Sequence, residues 1–313
     1  MLNIFQRNPV ELCSVLLLLA GLGQASPVDL ESRQIKPSSG KRNLTLSDTI
    51  IYDLDNPKIS YPTVTSNHQI SVTSSIYIVD GDNTLNKTIC HHIAAGKTVM
   101  CYFSAGSFEP FRDDAALFKS DCFCGKGSTY NAKTEKCSSN KNKMDGWDEY
   151  WLDLRTPACL TNIKAIQEAR MKKFQQKGCD GVDPDNVDSY INSQKYGTTK
   201  ANQAAYLTWL SQTARGLGLY IDLKNSGDIL EDYPQIVEMF DFSVIESCYV
   251  WEECDVYKPF LDAKKPQIRV EYGSDFSSCN GLDLSPGVSF AQYDQDSLDT
   301  KTINLACSGG APK

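Results

Sequence analysis

The sequence predicts an α/β fold, a closed (β/α)8 TIM barrel carrying a small cysteine-rich insertion, and three observations predict it. Short β-branched or aromatic runs alternate with helical stretches along most of the 313 residues, the pattern of parallel strands joined by crossover helices. The helical stretches stop at glycines, Gly178 and Gly216, as helix C-termini commonly do. Nearly every strand ends in a carboxylate or another hydrogen-bonding group, and in a barrel those ends meet on one concave face. An open doubly wound sheet is the alternative arrangement of the same elements. The crowding of so many acids at strand ends favours the barrel, because a fold retains mutually repelling groups mainly where they work together.

Residues 1–25 place Arg7 before the apolar run "LCSVLLLLAGLG" and end in small residues at Ala25, the layout of a secretory signal peptide. Residues 26–48 are polar and without period and read as a flexible leader. The remaining 49–313 read as one domain. Its strand candidates are "IYIVD" (76–80), "VMCYF" (99–103), "DGVDP" (180–184), "LYIDLK" (219–224), "FSVIES" (242–247), "IRVEY" (268–272) and "VSFAQY" (288–293), with an eighth near "KISYPTV" (58–64). Helices are predicted over 160–177, with Ile163, Ile166, Ala169 and Phe174 on one face, and over 199–215, with Tyr206, Leu207, Leu210 and Ala214. Residues 119–142, around "CFCGKGSTYNAKTEKC", interrupt the alternation as the cysteine-rich insertion.

Export decides how the twelve cysteines are read. Cys13 leaves with the signal, and the odd number that remains implies disulfides plus at least one free thiol. We expect Cys248 to pair with Cys254, Cys279 with Cys307, and Cys122, Cys124, Cys137 and Cys159 among themselves. Cys179, in the apolar approach to a strand, is the expected free thiol. Asn43 and Asn86 open Asn-X-Thr glycosylation acceptors. The formal charge of -8 repels nucleic acid and anionic membranes, so neither is an expected partner, and a monomer is expected. No metal or other cofactor is called for: the histidines are not spaced to complete a zinc set, and phosphate-loop motifs are absent.

The densest chemistry lies in "GCDGVDPDNVDSY" (178–190), with Asp180, Asp183, Asp185 and Asp188. Read as an EF-hand loop it fails where Val187, Asp188 and Gln194 stand. Helix capping and turn formation would account for any single aspartate, but poorly for Asp183 and Asp185, which flank Pro184 at a strand end. A catalytic reading needs a second acid, and Glu246 supplies it by closing a strand whose Phe242 and Val244 form an apolar wall. A carboxyl so placed suits a proton donor, unless it only pairs with Lys224. Trp147, Trp151, Trp251, Tyr102 and Tyr272 are candidates to stack on sugar faces.

These stretches, with "VMCYFSAGSFEPFRDDA" (99–115), "DGWDEYWLDLR" (145–155), "LKN" (223–225), "IESCYVWEEC" (245–254) and "KPQIRVEY" (265–272), occur in an order that closely resembles glycoside hydrolase family 114, the endo-α-1,4-polygalactosaminidases. The resemblance implies a secreted TIM-barrel hydrolase that cuts internal α-1,4 bonds of galactosamine-containing polysaccharide. It puts the catalytic aspartate on Asp185 and the catalytic glutamate on Glu246. Substrate contacts are then expected from Tyr102, Asp183, Asn186, Asp188, Lys224, Asn225, Glu271 and Tyr272, with Asp183 standing where the family has Glu. Retention of configuration is the expected outcome, with an inverting route, Asp185 acting as base, as the alternative that the separation of the two groups decides. A non-catalytic carbohydrate-binding protein on the same barrel is the alternative.

Overall fold

The computed structural model describes residues 43–54, 74–294, 298–299 and 302–309. The signal segment, most of the leader and the strand suggested at 58–64 lie outside the described residues. Among the described residues eight strands run parallel in chain order: β1 (Ile50–Tyr52), β2 (Ile76–Asp80), β3 (Thr98–Ser104), β4 (Gly181–Asp185), β5 (Tyr220–Lys224), β6 (Phe242–Glu246), β7 (Gln267–Tyr272) and β8 (Val288–Tyr293). A ninth, β9 (Ile303–Ser308), returns antiparallel beside β8. Seven of the eight parallel strands are those read from the sequence. The eighth, β1, is the three-residue "IIY" upstream of the expected stretch.

The curled sheet closes on itself through side chains. Ile50 N–H donates to Ser289 Oγ at 3.0 Å, and Tyr293 Oη accepts from Tyr52 N–H at 3.0 Å while donating to Tyr52 O at 3.1 Å. Two side chains of β8 thus satisfy backbone groups that a neighbouring strand would otherwise have to satisfy.

Alternation sorts each strand into an inner and an outer row. Inward side chains such as Ile78, Met100, Val244, Val270 and Tyr293 fill the barrel, while outward Val99, Cys101 and Phe103 pack with Ile163, Leu207 and Leu210 of the surrounding helices. The longest helices among the described residues are α1 (Asn86–Ala94), α2 (Pro157–Lys177) and α3 (Lys200–Gly216). Proline in its first turn and left-handed Gly178 (φ 98°) bound α2. A reciprocal cap opens α3, Asn202 N–H donating to Thr199 Oγ1 at 3.2 Å and Thr199 N–H to Asn202 Oδ1 at 3.1 Å. Its last turn carries through Gly216, past the stop expected there.

Five disulfides cross-link the described residues: Cys101–Cys179, Cys122–Cys159, Cys124–Cys137, Cys248–Cys254 and Cys279–Cys307. Cys179 is therefore not the free thiol expected, and no described cysteine is free. Cys101 points outward from β3 and meets the loop entering β4, so the apolar setting that suggested a buried thiol is instead the setting of a bond. One of the five bonds, Cys124–Cys137, lies within the insertion and a second, Cys122–Cys159, ties it to α2; its Phe123 stacks on Phe108 with ring centroids 3.8 Å apart. Phe108 belongs to a two-residue strand, Ser107–Phe108, paired antiparallel with Tyr150–Trp151. The insertion thus braces a hairpin at the barrel mouth. Bonds of this kind persist in an oxidising, extracellular-type compartment, and among the described residues no helix is long and apolar enough to cross a membrane.

Candidate active site

At the C-terminal mouth one ammonium joins two carboxylates. Lys224 ends β5, and its Nζ lies 3.2 Å from Asp185 Oδ1 at the end of β4 and 3.1 Å from Glu246 Oε2 at the end of β6. The other oxygen of each acid takes a phenol hydrogen bond: Tyr102 OH donates to Asp185 Oδ2 at 2.9 Å and Tyr272 OH to Glu246 Oε1. Asn225 closes the set, its Nδ2 donating to Glu246 Oε2 at 3.3 Å and its Oδ1 accepting Glu246 N–H at 2.9 Å. The site is thus built from inward side chains of five adjacent strands, β3 to β7.

Burial alone would strip the proton from Lys224, but Asp185, Glu246 and Asp183 overcome it and hold the ammonium well above the ordinary lysine range. Burial and the facing carboxylates likewise hold the phenols of Tyr102 and Tyr272 well above theirs, so both stay donors. The chain turns sharply just past each acid or base. Asn186 (φ 60°), Asn225 (φ 48°), Ser226 (φ 60°) and Ser247 (φ 56°) all take the left-handed conformation, which non-glycine residues adopt only where the surroundings enforce it.

The other residues expected at the site divide. Asp188 lines a cleft of about 180 Å³ with Asn225, Asp228, Glu246, Trp251 and Glu253; burial, then the Asp185 charge, pushes its carboxyl up to about 7. Asn186 turns away from the cleft, its Nδ2 donating to Ser104 Oγ at 2.9 Å. Asp183 points inward but one layer deeper, fully buried beneath Lys224, where it accepts a 2.5 Å hydrogen bond from Tyr52 OH. It is a floor of the site and does not line the cleft. Glu271 is outside it altogether: Val270 and Tyr272 face inward, so Glu271 faces outward, buried, accepting Tyr249 N–H at 2.9 Å. Trp151 is buried in the hairpin, whereas Trp251 and Trp147 stand 72% and 63% exposed.

Glu149 was not legible as a site residue. It accepts the Ser107 hydroxyl at 2.5 Å, Ser107 Oγ lies 2.5 Å from Ser104 Oγ, and Ser104 in turn holds Asn186 beside Asp185. Burial, then the nearby Glu109 charge, raises the Glu149 carboxyl to about 7. Its signal lay in the spacing of "DGWDEYW", which presents Glu149 next to the Tyr150–Trp151 strand that pairs with Ser107. The same turn depends on Gly106, where a Cβ would sit 1.7 Å from the backbone oxygen of Asn186. Gly106→Ala is therefore expected to cost about 2–4 kcal/mol in denaturant unfolding and to displace the Asp185 turn. Wild-type stability in this variant would mean that the close approach is easily relieved.

Two carboxylates at the ends of β4 and β6, joined by one ammonium and held by phenols, are equipped for proton transfer and attack at an acetal carbon. Ser-His-Asp chemistry is not assembled among the described residues: His91 and His92 both lie on α1.

The sequence signature of glycoside-hydrolase family GH114 matches residues 52–304. Among solved structures, the chain is similar to Aspergillus fumigatus Ega3, crystallised in complex with galactosamine, at 27% identity, 86% coverage of this chain, 98% of that one and a TM-score of 0.63. It shares its fold with the glycoside hydrolase domain of PelA from Pseudomonas aeruginosa at 15% identity, 80% and 96% coverage and a TM-score of 0.50. No curated protein sequence matches it. With the signature running from β1 into β9 and so through every strand that carries the site, the chain belongs to glycoside-hydrolase family GH114.

Proposed function

We propose that this protein is a secreted endo-acting glycoside hydrolase that cleaves internal α-1,4 bonds of galactosamine-containing polysaccharide with retention of configuration. The observation that carries the reading is the shared ammonium. A single nitrogen 3.2 Å from Asp185 Oδ1 and 3.1 Å from Glu246 Oε2 keeps those oxygens closer than the roughly 6.5 Å at which the separations of inverting pairs begin. In the proposed sequence, Asp185 attacks the anomeric carbon as Glu246 gives its proton to the departing glycosidic oxygen. Glu246 then takes a proton from water, whose oxygen displaces Asp185 from that carbon.

The substrate class follows from charge. Asp188, Asp228 and Glu253 surround the cleft beside Glu246, and exposed Trp251 offers it an aromatic face. A sugar bearing a free amine is cationic near neutral pH and is drawn to such a cleft. Galactosamine in the Ega3 complex supports the same class. With purified protein and galactosamine oligomers, a reducing-end assay should show free-amine or mixed chains cut far faster than fully acetylated ones. Added salt should weaken binding, since at 0.1 M it screens exposed charges beyond about 10 Å. Preference for fully acetylated chains, insensitive to salt, would overturn the amine reading; no cleavage of any chain would favour a binding protein.

A further inference from the structure

Beneath the reacting pair lies a second pair of acids that the mechanism above does not use. Asp183 and Asp222 stand side by side on β4 and β5: the register pairs Val182 with Ile221, so the next residue of each strand points inward at the same level. Both are fully buried. Their carboxyl groups lie within hydrogen-bonding reach of each other. Neither oxygen of Asp222, and only one oxygen of Asp183, receives a donor from the described residues. The charged and titratable groups facing them are Asp185, Lys224, Glu246 and Tyr52, with Phe242 next to Asp222 across the sheet. Lys224 is the one cation among them and is already shared by Asp185 and Glu246.

Two adjacent carboxylates, fully buried and with no cation but one already shared by two other acids, cannot both be ionised. An orphaned pair of acceptors becomes a satisfied pair once one of them holds a proton and donates it to the other. The partition between them is legible from their neighbours. Asp183 receives the Tyr52 hydroxyl, which favours its ionised form, whereas Asp222 has no donor among the described residues except what it could share with Asp183.

We propose that Asp222 is a neutral carboxylic acid at neutral pH, donating its proton to Asp183, and that it acts as a positioning residue. The pair then carries one negative charge in place of two. That single charge sits under Lys224 and helps hold the ammonium upright between Asp185 and Glu246. A doubly charged pair would draw the ammonium down and away from the reacting groups. Burial and the neighbouring Asp183 charge push Asp222 well above the ordinary carboxylate range, in keeping with this assignment.

The catalytic consequence rests on reading Asp185 and Glu246 as the reacting pair; the protonation itself does not, and infrared difference spectroscopy tests it separately. Glu149, Asp188 and Glu271 are raised only to about 7, so at about pH 9 they have ionised. At that pH the folded wild type should still show the carbonyl stretch of a protonated carboxylic acid, shifted in heavy water, and Asp222→Asn should lose it. The amide of Asp222→Asn still donates to Asp183, so its pH profile of kcat/KM should keep the wild-type limbs even where kcat drops a few fold. Asp222→Ala, which removes the donor, should lose about tenfold or more in kcat with little change in KM. If Asp222→Ala does not fold, the band and the profile of Asp222→Asn decide. A wild type with no such band at about pH 9, a band that survives in Asp222→Asn, or limbs displaced in Asp222→Asn would each overturn the proposal.

Discussion

Asp185→Asn and Glu246→Gln are each expected to lose about 10²-fold or more in turnover while staying folded, since Lys224 keeps its other carboxylate, and still binding substrate. Both substitutions keep the shape of a side chain already anchored by a phenol, Tyr102 for Asp185 and Tyr272 for Glu246. What they remove is the capacity to attack carbon or carry a proton. The two roles separate in a further variant. Asp185→Ala leaves room for azide, and if Asp185 is the nucleophile, azide should restore cleavage and give a glycosyl azide of inverted configuration. Near-normal turnover in either shape-preserving variant would remove that residue from the reacting pair.

Lys224→Met should damage both stability and activity. The side chain is fully buried, and its ammonium is the cation shared by Asp185 and Glu246. Removing one partner of a buried ion pair costs about 3–5 kcal/mol, since the remaining charges lose their compensation in a medium that cannot solvate them. Turnover should fall by about 10²-fold or more, because the oriented charge that fixes both reacting groups is gone. Urea unfolding and a reducing-end assay on the same preparation measure the two effects. A variant that unfolds at the wild-type midpoint and still turns over would show that the pair is held without the ammonium.

The fold was legible where the chain is regular. Strands such as "IYIVD" and "VSFAQY" announce themselves by length and β-branched or aromatic content, and both have the bounds read from sequence. Strand β1 did not, because three residues are too few to show a period and its hydrogen bonds are completed by Ser289 and Tyr293, more than two hundred positions away. The acids at the site were legible as strand ends, but depth and facing were not. Asp183 and Asp185 share a face of β4, so alternation alone cannot say that one floors the site and the other opens onto it. Glu271 could have been set aside from sequence, since the apolar alternation of Ile268 and Val270 assigns Tyr272, and not Glu271, to the inside. Glu149 was hidden because its place depends on a hairpin braced by the insertion.

The seam between β1 and β8 also governs when the molecule can become a barrel at all. Its hydrogen bonds join residues 239 and 241 positions apart, so during synthesis the ring stays open until the C-terminal strands have emerged. Contacts of such separation form late and slowly, after a large loss of chain entropy. Until then β1 is an edge strand with bare amides, open to pairing with other chains. Tyr293 and Ser289 therefore act as a latch on assembly: a chain truncated before residue 289 could build most of the wall of the barrel yet would remain an aggregation-prone sheet.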